Sequence, residues 1–312
     1  MKKHLFVVNP VAGRSKPEDK LRLIHESIGR LPESERSAQF EIYVTAAPLD
    51  AVGKIKDAAA ECEELRVYAC GGDGTLNECV NGAVGLANTA VTHFPCGTGN
   101  DFIRMFENEK SRFYDLTELM TGEVRPLDVI KCNDRYAVNI CSAGIDARVG
   151  TDVHKYSGLP VVGGAAGYVV SLAVNYVKGV KQPMTVRVDG MTCGPELNLV
   201  CVCNGRFYGG GFNPTNEARP DDGLMDVLIA SGVNRARLLG VVANYARAKY
   251  RQYPQYITFV RTTRIELEFK GSEVINLDGE SLYTDKAVIE LIPGGVNFIA
   301  PRNMAFFRDK SL

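Results

Sequence analysis

The residues best placed to do chemistry are Cys70-Gly71-Gly72-Asp73-Gly74-Thr75-Leu76-Asn77-Glu78, which put three glycines, a carboxylate and a hydroxyl in one turn. Glycine lets a backbone approach a ligand closely, and the N–H groups of a turn that opens a helix point at an anion. A bare carboxylate repels phosphate. Asp73 therefore makes sense if it works through Mg²⁺ or water, or orients a reacting hydroxyl. A second turn of this kind follows at Pro95-Cys96-Gly97-Thr98-Gly99-Asn100-Asp101-Phe102, again opening a helix, with Phe102, Met105 and Phe106 on one face. A third candidate, Asn9-Pro10-Val11-Ala12-Gly13-Arg14-Ser15, has small residues, one Gly and one Arg. Taken alone it reads as a plain βα loop, since Asn-Pro starts many turns.

The elements that must hold these turns are legible as hydrophobic periodicity. His4 to Asn9 reads as a buried strand. Pro17 to Leu31 reads as a helix, with Leu21, Ile24 and Ile28 on one face. Phe40 to Thr45 alternates like a strand, and Ala46 to Cys62 reads as a second helix. Leu65 to Cys70 is a third strand, and Leu76, Val80 and Val84 then recur at helical spacing. Ala90 to Phe94 is a fourth strand. This alternation implies an open, mostly parallel sheet, an α/β nucleotide-binding domain whose ligand turns lie at the carboxyl ends of the strands.

From about Leu127 the texture changes. Asn133-Asp134 and Asp189-Gly190 are hairpin signals between strand-like runs. Further strands read at Leu197 to Cys203, Leu224 to Ala230, Tyr256 to Arg261, Arg264 to Phe269, Glu273 to Leu277 and Ala287 to Ile292. Helices read near 165–178 and 234–249. Short strands with turn signals point to a C-terminal antiparallel β-sandwich-like domain. The expected organisation is 1–127 for the nucleotide domain and 128–300 for a β-rich lipid-substrate domain. The C-terminal segment, 301–312 with Phe306-Phe307, would return to the first domain.

The commonest nucleotide motifs are missing. No G-x-x-x-x-G-K-[ST] occurs, and Asn77 stands where a G-x-G-x-x-G fingerprint needs its third glycine. What the chain carries instead is Gly71-Gly72-Asp73-Gly74-Thr75-Leu76-Asn77-Glu78, Gly97-Thr98-x-Asn100-Asp101, Asp221-Asp222-Gly223-Leu224-Met225-Asp226 and Leu277-Asp278-Gly279-Glu280, with Asn9-Pro10-x-x-Gly13 before them. In that order they resemble the diacylglycerol kinase catalytic-domain family, of the soluble bacterial lipid kinase type. The resemblance runs from the first ten residues to about 300.

The resemblance implies an ATP- and Mg²⁺-dependent lipid kinase that transfers the γ-phosphoryl group to a lipid hydroxyl, most simply diacylglycerol to phosphatidic acid. It implies that Asn9, Pro10, Gly13, Thr45, Gly71, Gly72, Asp73, Gly74, Thr75, Leu76, Asn77, Glu78, Gly97, Thr98 and Asn100 surround the nucleotide. Asp73 and Asp101 would organise the phosphates and their Mg²⁺. Asp222, with main-chain carbonyls of Arg219 and Leu224, would hold a structural Mg²⁺. Glu280 would be the general base, with Asp278 beside it. Read without the family, Asp278-Gly279 is an ordinary hairpin tip and Asp221-Asp222-Gly223 an ordinary turn. The alternatives are an NAD kinase, which shares the GGDGT segment, and a non-catalytic nucleotide- or lipid-binding regulator.

Composition bounds the rest. A formal net charge of −1 gives no global field for nucleic acid, although a local basic patch is compatible with it. Nine cysteines without a regular framework argue against a secreted disulfide fold. The stretch 159–180 is apolar but broken by glycines, and suits a buried or amphipathic helix better than a membrane span. The expectation is a cytoplasmic protein in transient peripheral contact with a membrane, where its lipid substrate lies. Partnership with nucleic acid is not expected, and a homodimer is compatible with the sequence.

Overall fold

A computed structural model describes residues 1–157, 171 and 173–308. The chain forms two compact units, Met1–Asp128 with Pro293–Leu312, and Val129–Ile292. Of the helix read over 165–178, residues 171 and 173–178 are described and helical; the rest lies outside the described residues. Among the described residues no helix is long and apolar enough to cross a membrane.

The first unit is built on five parallel strands in the order β2-β1-β3-β4-β15. They are β1 (Lys2–Val8), β2 (Gln39–Val44), β3 (Glu64–Gly71), β4 (Thr89–Pro95) and the end of β15 (Glu280–Ala300). Between them run α1 (Pro17–Gly29), α2 (Asp50–Ala60) and α3 (Asp73–Ala83). β1, β3 and β4 are buried almost throughout, as expected of a parallel sheet covered on both faces. The chain leaves β1 toward β2 on one side and returns to β3 on the other. The carboxyl ends of β1 and β3 therefore flank a switch point, where open α/β sheets bind ligands.

A 3₁₀ segment, Phe102–Tyr114, kinks at Glu107 and leads to α4 (Leu116–Met120), whose N-terminus is capped by Asp115. Phe102, Phe106 and Phe113 pack against Phe298 of β15, edge-on, stacked and tilted respectively, and Phe106 also meets Phe306 and Phe307. Phe307 lies in α7 (Ala305–Arg308). The last described residues are thus part of this unit's core.

In the second unit, β5 (Glu123–Cys132) and β6 (Arg135–Ala137) close a two-residue turn at Asn133-Asp134. β7 (Ile140–Gly144) and α5 (Ile145–Ser157) follow, then β8 (Gln182–Val188), β9 (Met191–Cys193), β10 (Glu196–Leu197) and β11 (Leu199–Cys203). Last come β12 (Met225–Ala230), α6 (Arg235–Tyr245), β13 (Ile257–Thr262) and β14 (Arg264–Leu277). The strands pair antiparallel in the order β13-β12-β11-β7-β14, with β14 bridging to both β15 and β8. The apolar run of β11 shows why the strands pack as a sandwich. Val200 and Val202 face one core with β8 and β14, while Leu199, Cys201 and Cys203 face another with α5 and α6. Alternate residues go to opposite faces, and both faces are buried. The fold is therefore the α/β unit plus antiparallel sandwich-like unit that the sequence implied.

Two buried histidines in the first unit couple its stability to pH. His4 Nδ1 lies 2.7 Å from the Tyr68 hydroxyl, and His93 Nε2 lies 3.1 Å from the Gly71 carbonyl oxygen. Burial lowers both imidazoles from 6.5 to about 4, and nearby Lys2 and Arg66 also lower His4. Their folded values are depressed, so the unfolded chain binds the extra protons between about pH 6.5 and 4. Stability is complete above that window and falls as pH drops through it, by roughly 3 kcal/mol per histidine. Urea unfolding across that range is expected to show the loss, and His4→Phe to remove about half of it. A flat profile would contradict the assignment of neutral imidazoles.

Candidate active site

The three glycine turns of the first unit pack directly on one another. Asn9 N–H donates to the Cys70 carbonyl at 3.2 Å, and Asn9 Nδ2 to Thr75 Oγ1 at 3.3 Å. The Gly71 carbonyl accepts from Cys96 N–H at 2.8 Å and Gly97 N–H at 3.1 Å. A Cβ on Gly97 would lie 2.5 Å from the Cα of Gly72, and one on Gly13 would lie 1.9 Å from the Cys96 carbonyl oxygen. These glycines are thus required by turn-on-turn packing, before any ligand is considered.

Asp73 begins α3, whose N-cap, Gly72, offers no side chain to the first-turn N–H groups. Its Oδ1 accepts from Phe102 N–H at 3.2 Å. Burial raises the Asp73 carboxyl above its ordinary value, against the N–H groups of Phe102 and Asp101, which lower it. Gly99 separates Asp73 from Asp101: its Cβ position would be 2.9 Å from Asp73 Oδ2 and 3.7 Å from Asp101 Oδ2. Asp101 is buried and pairs with Arg104 Nε at 2.9 Å. Two carboxylates flank one glycine and Arg104 already answers one of them; among the described residues no group of three or more His, Cys, Asp or Glu side chains forms a metal site, so a cation here would have to take further oxygens from its ligand. Asn100 adopts a left-handed φ of 50° and closes its own turn, donating to the Gly97 carbonyl at 2.9 Å and accepting from Gly97 N–H at 3.1 Å. Thr98 is exposed, and Thr45 N–H donates to the Val8 carbonyl at 3.0 Å, just beyond the end of β2. Leu76 and Asn77 are buried in α3 and Glu78 half-buried; the Asn77 carbonyl accepts from Asn81 Nδ2 at 2.8 Å.

An open cleft of about 650 Å³ lies beside these turns, lined by Gly13, Arg14, Ser15, Lys20, Gly97 and Thr98 among others. Its size falls within the usual range for small-ligand sites. Periodicity gave no warning of Lys20. The buried stripe of α1 is Lys20, Ile24 and Ser27, rotated from the expected Leu21, Ile24 and Ile28. Lys20 Nζ donates to the carbonyls of Asn9 at 2.8 Å and Ala12 at 2.7 Å, and so fixes the first turn. A lysine one turn before a buried isoleucine was the available signal. Arg104, which also donates to the Gly99 carbonyl at 2.9 Å, was equally unforeseen.

In the second unit, Asp278-Gly279 is a two-residue hairpin turn with φ of 52° and 102°. It joins Leu277 and Glu280 as a pair. The Asp278 carboxylate accepts from the N–H groups of Val138 at 2.7 Å, Asn139 at 3.2 Å and Ile140 at 2.7 Å. It therefore anchors the turn. Glu280 is exposed, and no hydrogen bond or ion pair of its side chain is found among the described residues.

The loop around Asp222 is different in kind. Asp222 Oδ1 accepts from Leu224 N–H at 3.0 Å, and its Oδ2 pairs with Arg261 Nη2. Arg261 Nε also holds Asp226 Oδ1 at 2.9 Å, and Arg219 grips Asp221 through Nε and Nη2 at 3.0 and 3.1 Å. A divalent ion on Asp222 would sit beside the Arg261 guanidinium, with like charges a few ångströms apart. As arranged, the donors at Arg219, Asp222 and Leu224 do not fit a metal ion, and Arg261 supplies the positive charge.

Comparison with known proteins agrees with the fold. The diacylglycerol kinase catalytic domain family matches residues 3–132, and the YegS C-terminal NAD kinase beta sandwich-like domain matches residues 139–300. A diacylglycerol kinase of Bacillus subtilis (strain 168) is 27% identical over 291 residues, 90% of each chain. A Shewanella frigidimarina (strain NCIMB 400) protein named "Probable lipid kinase YegS-like" is 28% identical over 275 residues, 86% of this chain and 84% of that one. The crystal structure of a diacylglycerol kinase from Bacillus anthracis str. Sterne has the same fold, with a TM-score of 0.68 over 97% of this chain and 98% of that one, at 22% identity. With both matched domains in order along one chain, the protein belongs to the diacylglycerol kinase catalytic-domain family of lipid kinases.

Proposed function

We propose that this protein transfers the γ-phosphoryl group of ATP to the hydroxyl of a lipid, diacylglycerol being the first candidate, in a Mg²⁺-dependent reaction. The observation that carries the proposal is the cleft of about 650 Å³ lined by the first and second glycine turns, on which the Gly71–Glu78 turn packs. Turn and helix N–H groups there suit phosphates, and Arg14 and Lys20 add positive charge. Asp73 and Asp101 would hold the Mg²⁺, which when bound neutralises charge on the transferring phosphoryl group. Glu280 takes the proton of the attacking hydroxyl, a role open to an exposed carboxylate on a rigid turn. Asp278 positions Glu280 by pinning the turn to three main-chain N–H groups.

The test is transfer of label from radiolabelled ATP to diacylglycerol in mixed micelles, with and without Mg²⁺, and identification of the product by mass. The expected product is phosphatidic acid, formed only with Mg²⁺. The NAD kinase-like sandwich described for residues 139–300 supports a second reading, with NAD as acceptor. Labelled NADP with unlabelled lipid would decide for it. Nucleotide binding without label in either acceptor would leave a non-catalytic binding module.

A further inference from the structure

Asp226 of β12 lies directly opposite Arg261 of β13 in the antiparallel register. It is 1% exposed, and each of its oxygens has a donor: Arg261 Nε at 2.9 Å on Oδ1 and the Thr215 hydroxyl at 3.1 Å on Oδ2. Thr215 Oγ1 in turn accepts from Glu217 N–H at 3.1 Å, which ties the stretch before the acidic turn to the same carboxylate. Arg261 continues from Asp226 to Asp222, whose Oδ2 it holds through Nη2 while Leu224 N–H holds Oδ1. Arg219, which is buried, keeps both oxygens of Asp221. Arg206, also buried, donates from Nε to the Ala218 carbonyl at 3.0 Å at the start of the turn.

The register makes Arg261 a fixed part of this cluster. Directly opposed residues on antiparallel strands have Cβ atoms about 4.5–5.5 Å apart, so strand pairing alone brings Arg261 to Asp226. Drawing two carboxylates of a turn together is work that a hard divalent ion can do. A planar guanidinium does the same with directed N–H groups. The charges also close. Arg206, Arg219 and Arg261 stand against Asp221, Asp222 and Asp226, so the cluster is neutral as it is built. A divalent ion added to it would leave two positive charges without a partner in a partly buried loop, which is costly.

We propose that Arg261 takes the place of the divalent ion that the family resemblance assigns to Arg219, Asp222 and Leu224, and that this loop is held closed without metal. The proposal goes beyond the kinase reading and does not depend on it, because an ion that enters with the nucleotide in the first unit is a separate matter. It has a positive consequence. Arg261→Gln leaves Asp222 and Asp226 without their shared cation, and two such carboxylates beside main-chain carbonyls are a set that a hard cation can enter. The variant should therefore acquire a metal dependence that the wild type lacks.

The test is thermal unfolding of the nucleotide-free full chain in EDTA and in millimolar Mg²⁺ or Ca²⁺, for wild type, Asp222→Asn, Arg261→Gln and the double variant. The wild-type midpoint is expected to respond to the ions no more than that of Asp222→Asn, any response common to both arising outside this loop. Arg261→Gln in EDTA is expected to melt roughly 5–10 °C below wild type. Added Mg²⁺ or Ca²⁺ should restore part of that loss, and should not do so once Asp222→Asn is combined with it. A wild-type midpoint that falls in EDTA and recovers with Mg²⁺, while that of Asp222→Asn does not, would overturn the proposal. So would an Arg261→Gln variant as stable as wild type, or one that neither ion stabilises. Failure of phosphoryl transfer to every acceptor would remove the kinase reading and leave these melting results as they stand.

Discussion

Glu280→Gln is expected to lower phosphoryl transfer to lipid by about 10²–10⁴-fold, the usual contribution of a positioned general base. The change keeps shape and removes the proton acceptor. Glu280 is exposed and its side chain makes no bond among the described residues, so thermal stability should move by less than about 0.5 kcal/mol. Nucleotide affinity should not change, because the glycine turns of the first unit are untouched. This separation of effects distinguishes the base from the anchor beside it. Asp278→Asn removes acceptor capacity from a carboxylate that serves three N–H groups, and is expected to cost about 1–3 kcal/mol of stability as well as activity. The measurements are initial rates in mixed micelles, nucleotide titration and thermal unfolding on the same preparations. Undiminished transfer by Glu280→Gln would remove Glu280 from the mechanism.

The second large effect is expected at Gly13. A Cβ there would meet the Cys96 carbonyl oxygen at 1.9 Å, a backbone atom that cannot swing aside. The residue also has a φ of 70°, in the left-handed region that side chains disfavour. Gly13→Ala should therefore push the first turn off the second and open the cleft on which the nucleotide reading rests. The expected result is at least a 100-fold loss of nucleotide affinity, with destabilisation of about 2 kcal/mol or more. Gly53→Ala is the matched control. Gly53 lies inside α2, nothing is within 4 Å of its Cβ position, and the change should stabilise by about 0.5–1 kcal/mol. A titration with a fluorescent nucleotide analogue and thermal unfolding of both variants check the contrast. Wild-type affinity in Gly13→Ala would show that the nucleotide does not depend on that turn.

Much of the fold was legible because the chain's local signals agree with its long-range structure. Strand-like runs alternating with 3.6-period helices foretold the parallel sheet, and Asn133-Asp134 and Asp189-Gly190 both proved to be hairpin turns. The three glycine turns could be placed at strand ends for the same reason. What was not legible depends on distant partners. Strand-like runs at 264–269 and 273–277 are one strand, β14, because a bulge between Glu268 and Glu273 lets pairing with β15 resume out of step. The run at 287–292 is the middle of the 21-residue β15. The helix expected after the second glycine turn is a kinked 3₁₀ segment, shaped by the phenylalanine cluster around Phe298. At the candidate site, residue types suggested which groups carry charge but not which charges answer them. Asp222 is met by an arginine 39 residues away, and the Asn9 turn by a lysine on the following helix.

The fifth strand of the first unit's sheet comes from the far end of the chain. Residues near Asn297 and Phe298 lie beside Ala90 and Val91 of β4, and Phe298 completes the phenylalanine cluster. During synthesis, β4 and Phe102, Phe106 and Phe113 emerge from the ribosome about two hundred residues before their partners. Until then β4 is an open sheet edge next to uncovered aromatic surface, the condition that favours mispairing between nascent chains. The first unit to be translated is thus the last that can be finished. A chain cut at residue 128 would lack its closing strand, however complete its glycine turns.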